Sequence, residues 1–128
     1  MRSSRLAILL AATLAVATAA PVVHAAPAPR AARACSTLRL DVGEPLGRVT
    51  VRFKLFGHVT CAKAHSRARA YFRKVVAHQC GRLNNFCNLS FAGGWNCSIF
   101  SAGESQTAGG AFAGCARSAH TKFRMFRR

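Results

Sequence analysis

Acidic side chains are nearly missing from this chain: Asp41, Glu44 and Glu104 are the only three among 128 residues. Their scarcity excludes paired-carboxylate catalysis, because two of the three fall in one short turn. A Ser/His/Asp set is excluded as well, since no nucleophile-elbow sequence accompanies the few acids. Tryptophan and tyrosine occur once each, and there is no internal repeat. The apolar run at 6–20 is fifteen residues long, short of the roughly 20 that a membrane span needs. The glycines at 109, 110 and 114 are not followed by the Lys-Ser/Thr pair of a nucleotide phosphate cradle.

Positive charge is what the chain has instead. Lys and Arg number 19, a formal net charge of +16. Arg outnumbers Lys 15 to 4, as GC-rich coding would produce, but Asp and Glu codons are equally GC-rich. The shortage of acids is therefore a property of the protein. Two arginines in the first five residues, the apolar run at 6–20 and the small residues of VVHAAPAP read as a secretory signal peptide over 1–25. Cleavage is expected after Ala25, with Ala19 as the alternative. Without Arg2 and Arg5 the exported chain keeps 17 basic residues against three acids, a charge of +14. APAPRAARA at 26–34 reads as a flexible arm. Residues 35–128 then suffice for one small domain. Six cysteines in an exported chain imply three disulfides, with 15 possible pairings.

Periodicity places the elements. Residues 38–42 alternate apolar and polar, and Gly43-Glu44-Pro45 closes them as a turn. RVTVRFKLF sets Val49, Val51, Phe53 and Leu55 on one strand face, with Arg48, Thr50, Arg52 and Lys54 on the other. Thr60 is a helix N-cap and Gly81 the expected left-handed stop. Between them Cys61, Ala64, Ala68, Tyr71, Phe72, Val75, Val76 and Gln79 share one arc of a helix about 28 Å long. Lys63, Arg67 and Lys74 lie on its far side, and Arg69 and Arg73 flank the apolar arc. A loop over 82–94, a strand WNCSIF at 95–100, a long mobile hairpin loop at 101–114 and a final strand in CARSAHTKFRMFRR complete the chain. That last strand ends in a basic tail. The expected fold is α+β: one helix on a small, mostly antiparallel sheet, stapled by disulfides. If RVTVRFKLF, the helix and WNCSIF form a right-handed crossover, the expected bridges are Cys61–Cys115, Cys80–Cys97 and Cys35–Cys87.

The helix opening TCAKAHSRARAYF, then GGWNC, a further cysteine and a basic-aromatic C-terminal strand resemble a group of small exported proteins of high-GC Gram-positive bacteria. Cys61, Ala64, Gly94, Trp95, Cys97 and Cys115 carry the resemblance, while Cys35, Cys80 and Cys87 fall outside it. It implies export and this order of elements, and no activity.

Candidate chemistry is sparse. His58, His65, His78 and His120 with Lys54, Lys63 or Lys122 are the residue types a small ribonuclease uses, but no ribonuclease motif accompanies them. Catalysis is not expected. Cys61 with His65, and His78 with Cys80, have metal-ligand spacing, yet export favours disulfides, so neither metal nor cofactor is expected. The basic groups remain: Lys63, Arg67, Arg69, Arg73 and Lys74 on the helix, Arg48, Arg52 and Lys54 on the strand, Lys122 and Arg124 near the C-terminus. So many like charges oppose compaction, and an anionic partner would relieve them. The sequence therefore points to a secreted, monomeric cationic protein that binds an anionic polymer or surface: cell-wall polymer, lipid head groups or nucleic acid. Its alternatives are a protein-interaction or inhibitor module presenting the 101–114 loop, and a membrane-disrupting toxin acting through TKFRMFRR.

Overall fold

The computed structural model describes residues 31–80 and 86–128; the expected signal peptide, most of the expected arm and Gly81 lie outside them. Among the described residues six strands and two helices follow the order β1 (Arg33–Asp41), β2 (Arg48–Phe56), α1 (Cys61–Val76), β3 (Leu89–Phe91), β4 (Trp95–Ile99), α2 (Ala102–Thr107), β5 (Ala113–Ala116) and β6 (Lys122–Arg127). The strands form one sheet in the order β1-β2-β6-β5-β4-β3, with every pairing antiparallel. The fold is a small α+β domain with one main helix on a sheet and three disulfides.

Alternation decides which face is covered. Val51, Phe53 and Leu55 of β2 and Phe123 and Met125 of β6 are buried. They meet Ala64, Ala68, Tyr71 and Phe72 of α1, and the two alanines let the helix lie close to the strands. Trp95 is buried beside Phe123, ring centres 5.8 Å apart. Phe112 stacks on Phe72 at 6.0 Å. The Tyr71 hydroxyl donates to the Cys87 carbonyl at 2.8 Å, and burial pushes its phenol well above the ordinary range. Tyr71 therefore stays a neutral donor.

Several sequence expectations are corrected. Arg33 and Ala34, expected in the arm, are strand, and the Arg33 guanidinium donates to the Gly57 and Val59 carbonyls. Helix α1 begins as expected, with the Thr60 hydroxyl accepting from the Lys63 amide. It stops at Val76, earlier than Gly81 suggested. His78 takes the left-handed position at φ 54°. The His78 amide donates to Val75 and the Gln79 amide to Lys74, the paired bonds of a Schellman stop. Histidine is among the few non-glycine residues enriched there, so Gln79 is not on the helix. Residues 89–91, expected in a loop, form the edge strand β3.

Two further corrections concern the C-terminal third. CARSAHTKFRMFRR is a hairpin, not one strand: the Ser118 hydroxyl accepts from the His120 and Thr121 amides and turns β5 into β6. The expected tail belongs to the sheet, since Arg127 pairs with Val51 and the Arg128 amide donates to Thr50. Residues 101–114 are not a long hairpin loop. Ser101 and Glu104 form a reciprocal capping box that starts α2, a signal legible as S-x-x-E. Ala108 and Ala111 beyond it are buried. Replacing Ser101 by alanine should cost about 1 kcal/mol, read as a lower urea midpoint. An unchanged midpoint would show that the cap contributes nothing. The bonds from Ser101 hold the Glu104 carboxyl below its ordinary range. Its contribution is thus present above the unfolded carboxylate pKa and is lost as pH falls through the lowered folded value.

All three expected disulfides are overturned. The bridges are Cys35–Cys61, Cys80–Cys87 and Cys97–Cys115. The crossover assumption failed because β6, not β4, pairs with β2. Cys97 and Cys115 face each other on adjacent strands. Cys35 pairs in register with Phe53 near the end of β2, where the chain turns into α1 at Cys61. Three disulfides indicate an oxidising environment.

Candidate anion-binding face

The ten basic residues singled out in the sequence divide between two sides of the sheet. On β2, Arg52 and Lys54 alternate with the buried Val51, Phe53 and Leu55 and so point away from α1. Lys122 and Arg124 alternate with the buried Phe123 and Met125 on β6. Because β6 is the direct neighbour of β2, segments some seventy residues apart place these cations side by side. Arg48 is on the same face at the β1 end, opposite Asp41.

Register orders this face into rungs. Phe56 is opposite Lys122, Lys54 opposite Arg124, and Arg52 opposite Phe126. Successive rungs lie two residues apart, roughly 6.7 Å along the strands. Phe56 and Phe126 were not singled out in the sequence, although both have the parity of the basic residues in their strands. Each ring has two cations near it. Arg52 and Lys54 lie 5.9 and 5.7 Å from the centre of the Phe126 ring, and Lys122 and Arg124 lie 5.6 and 5.4 Å from that of Phe56. These distances are near the outer limit of cation–π range, so the cations lie beside the rings without being fixed on them.

Two depressions adjoin the ladder and share Lys122 and Arg124. One, of about 400 Å³, is lined also by Phe56, His58, His120 and Thr121. The other, of about 160 Å³, lies over the small residues Gly114 and Ala116, with Asn96, Ser98 and Phe100 around it. Phe100 folds back over Gly114, where a β-carbon would come within 2.7 Å of its ring. No acidic residue lines either depression. Chemically the face offers guanidinium and ammonium donors, two imidazoles, an amide and two hydroxyls, with apolar rings between them.

The helix cations are dispersed. The Arg67 guanidinium donates to the Ala92 carbonyl and lies 4.9 Å from the Phe91 ring centre, which Lys74 approaches from 5.4 Å. Both are thereby drawn against β3. Arg69 and Arg73 line a different cleft, of about 420 Å³, between α1 and β1, with Arg39, Leu40, Phe72 and Val76. Asp41 also lines that cleft and offsets part of its charge. Lys63 stands exposed in the first turn of α1. The helix therefore presents no continuous basic track.

The remaining sequence candidates separate too. His65 packs on Phe53 at 4.8 Å, with its Nε2 3.1 Å from the Ser36 carbonyl oxygen. His78 stops α1, far along the chain from His58 and His120, which meet in one depression. Cys61 and Cys80 are in disulfides, so neither Cys/His pair retains a thiolate. Comparison of the chain with protein-family models, curated proteins and solved structures gave no match.

Proposed function

We propose that this is a small exported cationic protein that binds an anionic polymer, non-catalytically and as a monomer, across the sheet face opposite α1. The observation that carries the reading is the ladder itself: Arg52, Lys54, Lys122 and Arg124 are adjacent on an open face whose depressions no carboxylate lines. A basic run on a helix is ordinarily a solvated surface. Clustering four like charges across two central strands costs repulsion, and a polyanion would convert that repulsion into attraction. Export is supported by the N-terminal pattern over 1–25 and by three disulfides. Repulsion supports the monomer, because stacking two such faces would bring the cations of both copies together.

Salt dependence tests this. With Arg48 and the four ladder cations engaged, the logarithm of affinity for inorganic polyphosphate should fall against log salt with a slope of about −4. Between about 50 and 200 mM salt that is a loss of a few hundredfold. Absence of binding even at the lower salt would refute the reading.

A further inference from the structure

Charge alone explains the cations of the ladder but not its aromatic rungs. We propose that the face takes single-stranded nucleic acid, with bases stacking on Phe56 and Phe126 and phosphates held by the Lys54–Arg124 rung between them. This rests on the polyanion reading above and narrows its ligand.

Three observations select that ligand class. First, the rungs alternate ring, cation pair, ring, with each ring also facing a cation across the strand. A single strand repeats the same two chemistries, a flat π-face and a monoanionic phosphate. Base–aromatic stacking accepts any base, because each has a π-face. A uniformly charged polymer such as polyphosphate has nothing to place on the rings. Second, the rings are accessible but half-buried in the sheet, with cations beside them. Such rings present little apolar surface to a lipid layer, which disfavours insertion into one. Third, the depression over Ala116 continues the track from Arg124 toward Phe100, whose ring covers Gly114. An antiparallel sheet with exposed aromatics and basic residues is a general solution for unstacked bases. A duplex hides its base faces and would meet only the cations.

The test compares a short oligothymidylate, its duplex with oligoadenylate, inorganic polyphosphate and phosphatidylglycerol vesicles, each against the full exported chain. The single strand should bind best. Replacing both rings, Phe56→Ala with Phe126→Ala, should weaken the single strand roughly 30-fold or more, with polyphosphate changed less than about twofold. A second variant guards against misfolding of the first. Phe126→Trp should retain binding, and its indole fluorescence should be quenched by the oligonucleotide but not by polyphosphate. Equal losses for both polymers in the alanine variant, tighter binding of the duplex or the vesicles, or no quenching in the tryptophan variant would overturn the stacking proposal while leaving polyanion binding intact. Failure of every polymer to bind would remove both.

Discussion

Reversing three charges on the sheet, Arg52→Glu with Lys54→Glu and Arg124→Glu, is expected to abolish polyanion binding, a loss of about a thousandfold or more at low salt. The effect is large because cations bound to phosphates become anions facing them, in a zone where no counter-charge lines the surface. Folding should survive. All three side chains are on the outer face, and Lys54 and Arg124 are already like charges directly opposite each other. Glutamates there repeat that repulsion and do not create it. The matched control reverses Lys63, Arg69 and Arg73 on α1. It changes the net charge by the same amount, so any general loss of attraction is equal in both variants. About a tenfold loss is expected from the helix variant. Equal losses from the two, read as polyphosphate affinity at fixed salt, would mean that the protein binds through its overall field and has no dedicated face.

The second large effect is structural. Gly57 ends β2 with φ +71°, and a β-carbon there would overlap the His120 carbonyl oxygen. Two penalties combine: a left-handed backbone that β-branched residues resist, and backbone atoms of the β5–β6 turn that have nowhere to go. Gly57→Val should therefore cost about 3 kcal/mol or more, on the order of 15 °C in melting temperature for a domain of this size. Gly47→Ala is the control. It has φ +59° but, among the described residues, nothing within 4 Å of the added carbon, so only the backbone penalty of about 1 kcal/mol remains. If the two variants melted alike, the close approach of the β2 end to the His120 turn would be disproved, and with it the depression that brings His58 and His120 together.

Sequence periodicity reached some of this and not the rest, for physical reasons. Helix α1 and strand β2 were legible because each buries one face, so a 3.6-residue or two-residue period is imposed on their side chains. The Thr60 cap was legible because its chemistry is local. The disulfides were not, since pairing depends on which strands become neighbours, and β2 pairs with a strand some seventy residues later. Helix α2 shows no periodicity in the sequence, because six residues are too few, although S-x-x-E announces its start. The end of α1 is not legible in the sequence, because His78 takes a conformation for which Gly81 is the expected candidate.

The same distinction governs the candidate site. That Arg52, Lys54, Lys122 and Arg124 are solvent-facing follows from parity, and so does the position of Phe56 and Phe126 among them. Their union into one ladder does not, because it needs β6 to be inserted next to β2. Nor could the sequence separate this group from the five helix cations, which read as an equally basic surface. Only the folded chain shows Arg67 and Lys74 drawn onto Phe91, and Arg69 and Arg73 sharing their cleft with Asp41.

The most direct measurement is a titration of isotope-labelled protein with the short oligothymidylate, following backbone amides by NMR. The account requires the amides of residues 50–56 and 122–126 to move together and saturate with one dissociation constant, while those of 63–74 stay in place. Movement concentrated on the helix, with the β2 and β6 amides still, would contradict it.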